Sequence, residues 1–140
     1  GSPYDDYDRQ LQQQWGRWIV KLPKFSTDVI PDVIAAADIV VVPQRDTPET
    51  RAQFPLKLTD GMAMAKPVLS TKVGDIPDIL GGTGYLAAPG SPEEIAEQIQ
   101  LIFQDLDAAN ERGKRARQRC IEKYSLEAMA SSLKSVIARL

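Results

Sequence analysis

Apolar residues come along this chain in two rhythms, one at helical spacing and one in short unbroken runs, and the two alternate. In residues 4–16, Tyr7, Leu11 and Trp15 recur every four positions, which predicts a helix stopped by Gly16. Residues 18–22 form a short apolar run and predict a strand, with Trp15 and Trp18 as core or packing residues rather than a stacking platform. Residues 28–37 predict a second helix, shortened or bent by Pro31. Residues 39–43 read IVVVP, and an apolar β-branched run without alternation belongs to a strand covered on both faces, as in a parallel sheet. The polar segment 44–54 predicts a surface loop at the end of that strand. It leads into a helix with Pro55 at its first position and Leu58, Met62 and Ala65 on one face.

Residues 67–71 predict another buried strand, 73–80 a short helix and 85–88 a further strand. Gly81, Gly82 and Gly84 come before a strand instead of after one, so they predict a turn and not a phosphate-cradling loop. Ser91, Pro92, Glu93 and Glu94 spell a capping box for a helix with Ile95, Ile99 and Ile102 on its buried face. The next helix, 106–123, crowds Arg112, Lys114, Arg115, Arg117 and Arg119 together, a run that reads as a solvated face or as a contact with an anionic surface. Ser125 caps a last helix whose Leu126, Met129, Leu133, Val136 and Leu140 make an apolar stripe. Strands alternating with helices, too apolar for a one-sided sheet, predict an α/β fold: a Rossmann-like, doubly wound parallel sheet with helices on both faces. Ligands in such sheets sit at the carboxyl ends of the strands.

Candidate chemistry gathers on the helix after Pro55. Its first amides and the positive end of its dipole suit a phosphate, and the Asp60 carboxylate can accept hydrogen bonds from sugar hydroxyls. Lys57 and Asp60 also read as a surface ion pair at i, i+3. At 140 residues and 43% hydrophobic content the chain suits one domain with a real core. A net charge of -2 gives no electrostatic reason to expect nucleic acid. No apolar run reaches the roughly 18–20 residues that cross a bilayer, and the start lacks a basic-then-apolar signal pattern, so the expected location is cytoplasmic, with the arginine-rich helix as a route to a membrane surface. Without histidine there is no imidazole base, triad or imidazole metal site, and neither a metal nor a cofactor is expected. The single cysteine, Cys120, reads as a small buried hydrophobe.

With these elements in place, the chain resembles the C-terminal, nucleotide-sugar-binding half of GT-B type retaining glycosyltransferases, the large family that includes sucrose synthases and mannosyltransferases. The family pattern runs from P-x-L-L-A-A-A-D and a strand ending V-L-P, through a loop with Glu-Gly-Phe-Gly, to E-A-M-A-x-G-x-P-V-x-x-T-x-x-G-G-x-P-E. Here the chain reads PDVIAAADIVVVP, FPLKLTDGMAMAKPVLSTKVGDIPDIL, TGYLAAPGSPEEIAEQI and EKYSLEAMA, in order and with spacings kept across nearly all of its length.

The resemblance implies a transferase that moves a sugar from a nucleotide diphosphate sugar, UDP-sugar favoured, to an acceptor. It places the ribose-binding carboxylate on Asp60 and the diphosphate and sugar contacts on Phe54, Pro55, Leu56 and Lys57, with Leu56 as first amide donor because Pro55 has none. The family's other glutamate, separated from the first-named carboxylate by seven residues, falls on Ala52, leaving Asp46 or Glu49 as substitutes at the donor sugar. Pro23, Lys24 and Phe25 fall on the nucleobase loop. The family's leaving-group arginine and lysine lie upstream of Gly1, so no catalytic residue is assigned, and residues 1–140 are read as a partial donor domain lacking its first strand, helix and strand. An N-terminal domain, reached by the C-terminal helix, and an acceptor complete the implied partners. A catalytically inactive nucleotide-sugar-binding module and a nucleotide-sugar epimerase are the alternatives.

Overall fold

Three apolar runs pair in parallel as β1 (Val40–Val42), β2 (Val68–Thr71) and β3 (Tyr85–Ala87), in that spatial order. Val41 stands opposite Leu69, and Leu69 opposite Tyr85. The computed structural model describes residues 3–139. Around the sheet lie α1 (Pro3–Trp15), α2 (Ile30–Ala35), α3 (Pro48–Arg51), α4 (Leu56–Ala63), α5 (Ile76–Leu80), α6 (Pro92–Gln104), α7 (Leu106–Tyr124) and α8 (Leu126–Ile137).

Every residue of the central strand β2 is buried, and its alternation splits the core in two. Val68 joins Leu58 and Met62 of α4, Ile76, Ile79 and Leu80 of α5, and Ala116 and Cys120 of α7. Leu69 turns the other way, to Tyr85, Ile102 of α6 and Ala109. Helices cover both faces of the sheet at β2, but β1 departs from the expectation drawn from its unbroken apolar run: Val41, which stands opposite Leu69, is 38% exposed. Cys120 is buried, and its thiol faces the Thr59 carbonyl at 3.6 Å.

Several expectations are corrected. Residues 18–22 are not a strand: the amides of Trp18 and Ile19 both donate to the Trp15 carbonyl, and among the described residues no strand pairs with the segment. An apolar run becomes a strand only where a partner edge meets its backbone groups. Trp18 and Val20 are accordingly 73% and 83% exposed, and Trp15 is exposed too, so the tryptophans are not core residues. The loop 44–54 contains α3, where the Thr47 hydroxyl accepts from the Thr50 amide and the Thr50 hydroxyl accepts from the Thr47 amide. Only half of the Ser91 capping box forms, because the Glu94 carboxylate accepts from the Ala88 amide instead of reaching back to Ser91. The apolar stripe of α8 lies on the surface, and its expected last member, Leu140, falls outside the described residues.

The basic run of α7 is solvated only in part: Lys114 and Arg115 are exposed, while three arginines meet backbone carbonyls. Arg112 donates to the Gly82 carbonyl at 3.0 Å, with its guanidinium 4.4 Å above the Tyr85 ring. Arg117 donates to the Ala63 carbonyl, and Arg119 to the carbonyls of Ile79 (2.9 Å) and Asp78 (2.6 Å). The Ala63, Asp78 and Ile79 acceptors belong to the last turns of α4 and α5, where carbonyls lack helical partners and cations are favoured.

Ala65, expected on the face of α4, lies past its end with φ 56. The Lys66 amide reaches the Gly61 carbonyl and the Ala65 amide the Met62 carbonyl, a helix stop of the kind that glycine usually occupies. Ala65→Gly relieves a left-handed penalty of about 1–2 kcal/mol against an entropy cost of about 0.5–1 kcal/mol. A net gain of about 0.5–1 kcal/mol is expected in denaturant unfolding. Gly113 of α7 rests on the same turn, and a Cβ there would overlap the Ala65 carbonyl oxygen and lie 2.8 Å from the Lys66 carbonyl carbon. Both obstacles are backbone. Gly113→Ala is therefore expected to lower stability by about 2–3 kcal/mol in the same assay.

Candidate functional site

Pro55 sits just outside α4 and not in its first turn, with φ -83 and ψ 89, and no side chain caps the helix. The Leu58 amide bonds to the Pro55 carbonyl at 2.9 Å, while no acceptor among the described residues meets the amides of Leu56 and Lys57. These donors open beside a cleft of about 480 Å³ between the carboxyl end of β1 and the start of α4. Val42, Gln44, Gln53, Phe54, Leu56 and Lys57 stand in its wall. Phe54 is steadied by the Tyr124 ring, 5.7 Å away and tilted.

A second cleft, about 280 Å³, lies between α2 and α4, with Thr27, Ile30, Pro31, Ile34, Asp60 and Met64 in its wall. Its apolar lining removes water from one side of Asp60, and that desolvation pushes the carboxyl above its ordinary range. No ion pair between Lys57 and Asp60 is found among the described residues, so the surface-pair reading is not realised. The two residues are one turn apart on α4, a rise of about 4.5 Å. Pro23, Lys24 and Phe25 lead in irregular backbone toward Thr27 at the rim of this second cleft.

Asp46 and Glu49 are placed elsewhere. Arg51 holds Asp46 through two hydrogen bonds, at 2.5 and 2.9 Å, and keeps its carboxyl below the ordinary range. Glu49 lies in the first turn of α3, with its carboxyl also held low, first by the Thr47 hydroxyl. Neither lines the cleft beside Leu56, and neither does Ala52. The polar side chains that do, besides Lys57, are Gln44 and Gln53. Sequence reasoning passed over both. Their signal was position alone, one just past the end of a buried strand and one just before Phe54.

Gln44 is held firmly. Its amide donates to the Thr71 hydroxyl oxygen at 3.0 Å, and that hydroxyl donates to the Gln44 carbonyl at 2.8 Å. Near the opposite end of α4 a wider hollow of about 700 Å³ is walled by Asp105, Asp107, Glu111 and Lys114, with Lys114 paired to Glu111, which leaves an acidic balance that disfavours a diphosphate.

The family model described as glycosyl transferases group 1 matches residues 1–105. N-acetyl-alpha-D-glucosaminyl L-malate synthase of Bacillus anthracis is 27% identical over 111 residues, which are 78% of this chain and 28% of that protein. The chain therefore spans less than a third of the length of this curated relative. Sucrose-phosphate synthase from Thermosynechococcus elongatus superposes with a TM-score of 0.85 at 24% identity, covering 99% of this chain and 34% of its own, and so shares the fold. Anabaena HepE in complex with UDP-glucose superposes at 0.80 with 25% identity, over 99% and 38%. The C-terminal domain of a group 1 glycosyl transferase from Francisella tularensis superposes at 0.76 with 25% identity, over 89% and 66%. A parallel α/β half of the GT-B fold and a family match over most of the length agree, and the chain belongs to the glycosyl transferases group 1 family.

Proposed function

We propose that this domain binds the donor of a sugar transfer, a UDP-sugar, along α4, and that the intact transferase moves the sugar to an acceptor. The observation that carries the reading is the pair of clefts on either side of one helical turn, with unpaired amides at the first and a lone carboxylate at the second. The diphosphate meets the amides of Leu56 and Lys57 and the Lys57 ammonium, where the helix dipole favours negative charge. Asp60 accepts the ribose hydroxyls. The base lies against Ile30, Pro31 and Ile34, with Pro23, Lys24 and Phe25 beyond. That HepE was solved with UDP-glucose bound supports the choice of donor.

In the transfer, the bond between the anomeric carbon and the diphosphate oxygen breaks as the acceptor oxygen bonds to that carbon, and negative charge gathers on the departing diphosphate. Helix amides already aimed at that charge stabilise it without reorganising. The exposed stripe of Leu126, Met129, Leu133 and Val136 on α8 packs against the remainder of the transferase, which supplies the acceptor side of the cleft. Ala52, with no carboxylate for the sugar, favours a second reading in which the protein holds the donor without transferring it. Sugar release from labelled UDP-glucose by the full-length protein separates the two.

Two further outcomes are expected in the full-length protein. Asp60→Ala should weaken UDP binding by calorimetry by about 10–100-fold, the worth of hydrogen bonds to a charged group. Unchanged UDP affinity in that variant, or no UDP binding by the parent protein, would overturn the reading. Because burial raises the Asp60 carboxyl, it protonates at higher pH than a solvated aspartate, and its accepting form is lost earlier on acidification. UDP-glucose affinity should therefore fall as pH drops toward the carboxylate range, and Asp60→Asn should flatten that profile at a weaker level. The diester diphosphate of UDP-glucose has no proton to take up there. Stability moves the other way: the desolvation cost of charged Asp60 is present above its folded range and is relieved as it protonates.

A further inference from the structure

Phe54 holds the last position before the proline that opens α4, and no hydrogen bond among the described residues holds its backbone. Its ring, 46% exposed, stands in the wall of the cleft beside Leu56 and Lys57 and leans on the Tyr124 ring, with centroids 5.7 Å apart and planes tilted by 55°. Tilted rings at that separation attract through their quadrupoles as well as by burial. Tyr124 is itself firmly seated. It ends α7 and packs against the core cluster that contains Leu58 and Met62 of α4, and the next residue, Ser125, starts α8 by accepting the Ala128 amide on its hydroxyl. The packing of Leu58 and Met62 fixes the body of α4, but the peptide entering Leu56 also depends on how residues 53–55 approach it. That approach is otherwise lightly held. The Gln53 amide reaches the Thr50 carbonyl at 3.4 Å, Pro55 fixes only its own φ, and no side chain caps the helix.

Resting on the donor-site reading above, we propose that Tyr124 is a positioning residue for diphosphate binding: its ring pins Phe54, and through Phe54 the turn that presents the Leu56 and Lys57 amides. Tyr124 lines neither cleft beside α4, so it acts through Phe54 and not by touching the ligand. A turn ordered before the ligand arrives takes its ordering cost out of the binding step. The effect falls on the phosphates alone, because Asp60 and the apolar wall of the second cleft stand on a different part of the fold from Phe54.

The test measures UDP by calorimetry, and uridine by its competition with UDP, on the full-length protein. Tyr124→Leu and Tyr124→Met fill the space without presenting a ring, Tyr124→Phe keeps the ring, and Phe54→Ala breaks the same contact from its half-exposed side. Tyr124→Leu, Tyr124→Met and Phe54→Ala should each lose about 5–30-fold in UDP affinity, the worth of ordering one residue's backbone on binding, with uridine affinity held within about twofold. Tyr124→Phe should bind UDP as the parent does. The double variant of Tyr124→Leu with Phe54→Ala should lose no more than either single change, since both free the same turn. Unchanged UDP affinity without the Tyr124 ring, equal loss of UDP and uridine, or additive losses in the double variant would each overturn the assignment; a purely structural tyrosine lowers the melting temperature and leaves UDP affinity where it was. Failure of the parent protein to bind UDP overturns the donor site itself, an outcome seen before any variant is made.

Discussion

The seating of α4 decides where every proposed ligand contact lies. Val40 and Val68 close on Gly61 from the sheet side, so closely that a Cβ there would meet them at 3.0–3.1 Å. On its other side α7 makes the most extensive helix contact in the fold, with Gly113 pressed on the turn that follows α4. Two positions without side chains thus let one short helix sit deep between sheet and neighbour. With Leu58 and Met62 wholly buried, α4 cannot rotate without opening the core, so the directions of its first amides and of Asp60 are set by packing. The proposed phosphate site is rigid because the core below it is rigid.

Much of this was legible in the residues. The runs around Val40, Val68 and Tyr85 announced parallel strands, and Ser91 and Ser125 cap their helices through their own side chains. What escaped depends on partners distant in sequence. Trp18–Ile19–Val20 has the composition of a strand, but composition supplies no neighbouring edge. The arginines of α7 look like solvent-facing charge until the last carbonyls of α4 and α5 are brought beneath them. Ala65 looks helical because alanine favours helices, whereas the chain must turn there to enter β2.

The candidate site divides the same way. Asp60 and the amides after Pro55 were reached from local pattern and family resemblance, and the structure places each at a cleft. That they occupy two clefts, one turn apart, was not visible in spacing alone. Asp46 and Glu49 drew notice as acids in the right loop, but Arg51 and Thr47 occupy them within that loop. Gln44 and Gln53, uncharged and unremarked in the pattern, stand with Lys57 in the cleft wall.

The contact between Arg117 and the Ala63 carbonyl has an electrical consequence. A helix of eight residues is only about 12 Å long, so an anion at one end still feels the opposing partial charge at the other. A guanidinium resting on the Ala63 carbonyl offsets that opposing pole. On the donor-site proposal, the first turn then acts on an incoming polyanion more as a bare positive charge than as half of a short dipole, and a brief helix gains reach from a cation at its own far end.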